Sequence, residues 1–166
     1  IKKVTIDSGE GGEGSLFFAI KGDRFDAHDF VPDVLAKGAA AVVCSRRVEG
    51  VPDGKAIYVE DTRAALLALA RHYRSKFHIP VVGLTGSVGK TTTKEMVAAV
   101  LSQKYRTLAT QGNFNNEIGL PKMCFRLDGS CEAAVFEMGM SGFGEIKRLT
   151  RTALSTNGNI NKIWAS

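Results

Sequence analysis

A chain of 166 residues has room for one domain or two small ones. With 44% hydrophobic and 23% charged residues it is ordinary globular material, able to bury a core without disulfides. Its net charge of +5 is spread over basic runs no longer than pairs such as Arg46-Arg47, which argues against a nucleic-acid-binding arm and leaves a phosphate-bearing ligand open.

In chain order, residues 4–6 and 16–20 are short apolar runs rich in strand formers, and both read as strands. The glycine- and glutamate-rich segment 9–14 between them reads as a loop. Residues 28–37 fit a helix with Phe30, Val31, Val34 and Leu35 on one face and Gly38 as its stop. Two more strands are expected over 39–44 and 56–60. Asp61 then caps a helix running to about residue 76, with Leu66, Leu69, Ala70 and Tyr73 inward.

Pro80 forces its predecessor towards extended geometry, so a domain boundary is expected between residues 78 and 79. Beyond it come a strand over 81–84, a glycine loop, and a helix over 91–103 with Met96, Val97, Val100 and Leu101 on its apolar side. A second strand over 105–110, a polar loop over 111–116 and a third strand over 131–136 follow. Strands alternating with helices imply an α/β fold: a small α/β N-terminal domain, then part of a parallel-sheet domain of the phosphate-loop type.

The three cysteines, Cys44, Cys124 and Cys131, match no zinc or redox spacing and read as buried small hydrophobes in a reduced compartment. No apolar stretch is long enough to span a membrane and no signal-peptide core opens the chain. The first residue is Ile1 and not Met, so the chain is expected to begin inside a longer gene product.

The strongest chemical signal is the run Thr85, Gly86, Ser87, Val88, Gly89, Lys90, Thr91 and Thr92. It lies between an apolar strand and an amphipathic helix, which is the context of a phosphate loop. Backbone N–H groups there can cradle phosphate oxygens at the positive end of a helix. Lys90 can neutralise the β- and γ-phosphates of ATP, and the Thr91 hydroxyl can ligate Mg²⁺. The widest form of the pattern asks for glycine at position 84, where this chain has Leu84, with Gly83 one place off.

Glu137 closes the apolar run 133–136, at the strand end where open α/β sheets gather ligands, and is a second candidate for Mg²⁺. Alone it would read as a solvated strand-end glutamate; the neighbouring phosphate loop tips the balance. Asn113, Asn115 and Asn116 form an uncharged donor and acceptor loop that is equally compatible with a turn. In the first half, Asp23, Asp26, His28 and Asp29 form a weaker polar cluster, for which a helix cap and a surface histidine are the commoner explanation.

Three motifs carry a resemblance. The run 85–92 is similar to the ATP loop of the Mur ligases and folylpolyglutamate synthetases. The stretch 112–121, Gly-Asn-Phe-Asn-Asn-Glu-Ile-Gly-Leu-Pro, and the stretch 137–146, Glu-Met-Gly-Met-Ser-Gly-Phe-Gly-Glu-Ile, resemble the D-alanyl-D-alanine-adding branch of the Mur ligase family. Asp7-Ser8 and the run 14–19 resemble its uridine-nucleotide domain. The resemblance implies a cytoplasmic, monomeric, ATP- and Mg²⁺-dependent amide ligase of peptidoglycan synthesis, with no nucleic-acid or membrane partner. Its substrates would be UDP-N-acetylmuramoyl-tripeptide and D-alanyl-D-alanine, joined through an acyl phosphate.

By the same resemblance, residues 1–78 would bind the uridine nucleotide through Ser8, Asp26 and His28. Residues 79–166 would bind ATP, with Lys90 and Glu137 catalytic, Thr91 and Glu137 on the metal, and Asn113, Asn115 and Asn116 near the nucleotide substrate. Gly9 stands where the family usually has Arg, and Ala27 where it usually has Gly. Family members are much longer, with a further domain that receives the amine. The polar, turn-prone tail from residue 154 onward replaces a hydrophobic strand, so a fragment with weak or no ligase turnover is expected. A nucleotide-binding module without turnover and a diaminopimelate- or lysine-adding ligase are the alternatives.

Overall fold

The computed structural model describes residues 1–22, 25–140 and 142–154. The expectations for Asp23, Ser141 and the tail from residue 155 lie outside the described residues. Two compact units divide the chain, Ile1–Leu66 and Leu67–Ser166.

The first unit is built on four parallel strands in sequence order: β1 (Lys3–Thr5), β2 (Ser15–Phe18), β3 (Ala41–Cys44) and β4 (Ala56–Tyr58). Parallel neighbours need a connection that returns the chain to the starting edge. Between β1 and β2 the glycine-rich loop makes that return. Between β2 and β3 a 3₁₀ turn (Ala27–Phe30) runs straight into α1 (Val31–Ala36). The helix expected over 28–37 is thus split in two, and Phe30 is exposed while Val31 and Val34 are fully buried. Gly38 ends the helix at φ 92°, a left-handed conformation that glycine adopts without strain. Phe17, Ala19, Val42 and Cys44 alternate along β2 and β3 and close with Val31, Val34 and Ala39 into one core.

α2 (Thr62–Arg74) starts as expected, with the Asp61 carboxylate accepting from the N–H groups of Arg63 and Ala64 at 2.8 and 3.1 Å. By their packing the two compact units part within this helix, between Leu66 and Leu67. The physical reason is its second half: Leu67 and Ala70 are buried in the second unit's core, and Tyr73, Phe77 and Ile79 pack against it. Arg74, almost wholly buried, then fixes the segment before Pro80 by donating to the carbonyls of Phe77 and Ile79 at 2.5 and 3.3 Å, and to that of Leu154 at 3.3 Å.

The second unit has three parallel strands in the order β5 (Val81–Leu84), β7 (Ala133–Glu137), β6 (Thr107–Ala109). α3 (Lys90–Ser102) links β5 to β6, and α4 (Gly119–Cys124) lies between β6 and β7. α5 (Glu145–Ala153) follows β7. One face of the sheet, with Val82, Leu84, Ala109 and Val135, packs on Val97, Ala98 and Leu101 of α3. The other, with Val81, Leu108, Ala134 and Phe136, packs on the end of α2 and on Leu120, Met123 and Leu149 of α4 and α5. Helices on both faces make β7 buried throughout, which is why it reads as an unbroken apolar run.

The inward stripe of α3 differs from the expected one. Met96 and Val100 are 66% and 72% exposed, while Lys94 and Ala98 are buried. The register is turned because Lys94, with its hydrogen-bonding head satisfied inside, takes a place that hydrophobicity alone would deny it. α4 and α5 are additional helices. Pro121 falls in the first turn of α4, where a missing N–H leaves no intrahelical bond unmade.

Candidate functional site

The register of the second sheet assembles the site. Leu84, the last residue of β5, pairs with Glu137, the last of β7, so the phosphate loop leaves the sheet beside that carboxylate. Ala109 pairs with Val135, which brings Thr110 level with the same edge.

The loop itself rises from Thr85 and Gly86, half-buried, to Ser87, Val88 and Gly89, exposed. Gly89 is at φ 76°, where a side chain would be strained, and serves as the N-cap of α3. Exposed N–H groups at a helix start are the arrangement an anion needs. Lys90, the first helical residue, folds its ammonium back onto the Gly86 carbonyl at 2.7 Å. Thr92 is exposed on the same turn.

Glu137 is 3% exposed, and each carboxylate oxygen has a partner. Oε2 accepts from the Thr91 hydroxyl at 3.2 Å and Oε1 from the Asn115 amide at 2.9 Å. Its backbone N–H donates to Thr110 Oγ1 at 2.9 Å. Asn115 is held in turn by Gly139, whose N–H donates to the Asn115 carbonyl at 2.7 Å. A Cβ at Gly139 would lie 3.2 Å from the Asn115 side chain, so this approach suits only glycine without adjustment. Thr91 and Glu137 are hard oxygen donors side by side, and the hydroxyl donates to the carboxylate while keeping lone pairs for a cation. That pair fits Mg²⁺, which takes few protein ligands and completes its shell with water and phosphate oxygens.

The three asparagines separate in role. Asn113 is exposed. Asn115 faces Glu137. Asn116 turns its side-chain oxygen to the N–H groups of Ile118 and Gly119, at 3.1 and 2.8 Å, and caps α4. A polar cleft of about 440 Å³ opens beside β6, lined by Lys94, Glu95 and residues 107–112.

In the first unit the candidates gather at the C-terminal ends of the strands. His28 is 1% exposed and has both ring nitrogens engaged: Nε2 accepts from the Ser45 N–H at 2.9 Å, so Nδ1 carries the hydrogen donated to Asp26 at 2.5 Å. Burial works to raise the Asp26 carboxyl, but hydrogen bonds from the His28 backbone and ring, and from Arg46, outweigh it and hold the group at about 2. Arg46 also reaches Asp29 at 2.9 Å. Ser8 stands outside this cluster, in the loop after β1, with its carbonyl accepting from Lys37 at 3.3 Å. His28 is therefore a buried brace between Asp26 and Ser45, with both ring nitrogens engaged within the protein. Ser45, Arg46, Thr110 and Lys94 were not singled out in the sequence. Arg46 had the signal of following an apolar strand, whereas Lys94 could be found only from its helical phase.

Known families match both halves of the chain. The pattern described as Mur ligase family, catalytic domain, matches residues 1–74, and the Mur ligase middle domain matches residues 84–163. The chain belongs to the Mur ligase family. Among its relatives, the UDP-N-acetylmuramoyl-tripeptide–D-alanyl-D-alanine ligase of Synechocystis sp. is 44% identical over 98% of this chain and 36% of its own length. The ligase of the same name from Bacillus subtilis is 46% identical over 92% of this chain and 34% of its own. Two solved Mur ligases agree: MurF from Acinetobacter baumannii, at TM-score 0.86, 40% identity and 92% of this chain against 34% of that one, and the MurF ligase of Thermotoga maritima in complex with ADP, at TM-score 0.84, 39% identity and 91% against 35%. The chain spans about a third of the length of these relatives. Among the described residues no helix is long and apolar enough to cross a membrane.

Proposed function

We propose that this chain is the nucleotide-binding part of a cytoplasmic, ATP-dependent ligase of peptidoglycan synthesis, the one that joins D-alanyl-D-alanine to UDP-N-acetylmuramoyl-tripeptide. The observation that carries the reading is the contact of Thr91 with Glu137 at the mouth of a glycine loop, 3.2 Å between hydroxyl and carboxylate oxygens, on a chain whose relatives bear that ligase's name.

In this reading the N–H groups of residues 85–92 cradle the phosphates of ATP, and Lys90 exchanges the Gly86 carbonyl for phosphate oxygen. Thr91 and Glu137 hold Mg²⁺, which when bound neutralises charge on the transferred phosphoryl group. The tripeptide carboxylate attacks the γ-phosphorus and ADP leaves; the amine of D-alanyl-D-alanine then attacks the acyl carbon, loses its proton, and phosphate leaves. Asn115 orients Glu137. In the first unit, Ser8 and Asp26 with Arg46 face the uridine nucleotide, and His28 keeps Asp26 and Ser45 in place. The amide-forming step is assigned to the whole protein, of which relatives are about three times as long.

The test is calorimetric titration of the chain with ATP and Mg²⁺. Removing the Lys90 ammonium costs one charge-assisted contact, on the order of 2 kcal/mol. Lys90→Ala therefore binds at least tenfold more weakly, and equal affinity rejects the phosphate-loop assignment. For the whole protein, product formation with D-alanyl-D-alanine but not with diaminopimelate or lysine separates this ligase from its siblings.

A further inference from the structure

Lys94 is nearly inaccessible, at 2% exposure, on a helix whose neighbouring inward residue is Ala98. A buried ammonium costs desolvation that an apolar side chain of similar length would avoid. Its partners show where the charge acts. Nζ donates to the Thr110 carbonyl at 2.8 Å and pairs with Glu95 at 2.8 Å. The Glu95 contact lies at the surface and joins sequence neighbours, so it organises little. The Thr110 contact spans from α3 to the end of β6.

Thr110 is the residue whose hydroxyl receives the Glu137 N–H. Its own N–H donates to Val135, two residues before Glu137, at 2.9 Å. A closed circuit results. Thr91, on the first turn of α3, touches the Glu137 carboxylate; Glu137 hangs on Thr110; and Thr110 is tied back to α3 by Lys94, one turn beyond Thr91. Two ties from one helix to two neighbouring strand ends, β7 through Thr91 and β6 through Lys94, fix the rotation of α3 as well as its distance. The hydroxyl and the carboxylate must converge on one point to share a cation, and a single tie would leave that convergence free to pivot.

We propose that Lys94 is a positioning residue for the metal-bound nucleotide, acting through Thr110 on the Thr91 and Glu137 pair. The proposal rests on the phosphate-loop reading above and adds a residue that touches neither nucleotide nor metal.

The experiment is titration of the 166-residue chain with ATP, in Mg²⁺ and again in EDTA, alongside thermal melting. Lys94→Met keeps the length of the stem and removes the donor. Its affinity is expected to fall about tenfold in Mg²⁺ and to stay within twofold of the wild type in EDTA. In a Glu137→Gln background the Lys94→Met change has no further effect. Thr110→Val, which opens the circuit at its other joint, reproduces the Mg²⁺-dependent loss, and it carries the test if Lys94→Met does not melt cooperatively. Lys94→Arg restores a donor and recovers part of the affinity. Equal losses with and without Mg²⁺, or a Lys94 effect that persists in Glu137→Gln, would overturn the proposal in favour of a merely structural lysine. If Lys90→Ala weakens ATP binding and neither Lys94→Met nor Thr110→Val does, this inference alone fails. If Lys90→Ala binds as the wild type does, the phosphate-loop reading fails and takes this one with it.

Discussion

The two parallel sheets of this chain finish their strands in different ways. At the ends of β2 and β3 the polar groups satisfy one another: Asp26 holds His28 and Arg46, and His28 holds the backbone of Ser45. At the ends of β5 and β7 one side chain, Glu137, is locked inside, and the groups around it at Ser87, Val88 and Gly89 stay exposed. The first edge is a charged cluster braced from within. The second leaves its loop residues exposed beside a buried carboxylate held by Thr91 and Asn115. A cluster that already closes its own hydrogen bonds offers a ligand charge and shape, whereas an open run of N–H groups offers unmade bonds.

Five substitutions sharpen or break this contrast. The largest effect is expected at Gly119. A Cβ there would lie 2.4 Å from the Phe114 backbone, so Gly119→Ala must displace the loop that carries Asn115. A loss of about 3 kcal/mol in the second unit's unfolding free energy is expected from overpacking of this kind. A loss under about 1 kcal/mol would mean the loop yields easily and does not hold the edge in shape.

Next comes Arg74. Arg74→Met leaves the carbonyls of Phe77, Ile79 and Leu154 without their shared donor, an expected cost of about 2–3 kcal/mol. Trypsin should cut the wild type slowly at Lys76 and the variant quickly. Rapid cutting of the wild type there would restore the boundary that Pro80 suggests.

Asp26 tests the first edge. Its folded value of about 2 lies below the ordinary 3.8. A depressed carboxylate contributes stability that is present above pH 3.8 and is lost as pH falls through 2. Asp26→Asn should cost the first unit on the order of 1–2 kcal/mol near neutrality and flatten its acid dependence between pH 4 and 2, as read by melting. An unchanged acid limb would place the carboxylate outside the cluster.

The smallest effect belongs to α3. Met96→Lys and Val100→Lys should each change stability by no more than about 0.5 kcal/mol, because both side chains are exposed in this chain. A loss above about 2 kcal/mol would return them to the buried face that their hydrophobicity suggests.

That last case shows what could be read in advance. β5 was legible to the residue, since an apolar run before a glycine loop admits one reading, and the other strands were placed within two residues or so. The pairing of Thr91 with a carboxylate was legible too, because strand, loop and helix come in a fixed order around it. Three things were not. The phase of α3 depends on Lys94, whose burial is decided by the distant Thr110 carbonyl. The division of α2 depends on Leu120, Met123 and Leu149, which complete its pocket from far along the sequence. The individual roles of Asn115 and Asn116 follow from which neighbour each amide meets, and the residue type does not encode that.

The clasp of Arg74 on Leu154 closes a loop across 80 residues, and Tyr73 meets the Leu127 carbonyl across 54. A ribosome delivers such partners in order and at intervals of seconds. The first sheet has its core by the time residue 66 has emerged, while the second half of α2 must wait as an amphipathic strip with its apolar side uncovered. Until α4 and then α5 arrive, Leu67, Ala70 and Tyr73 have only part of their lining. The second unit therefore condenses late, and the tie from Arg74 to Leu154 can form only once α5 is in place.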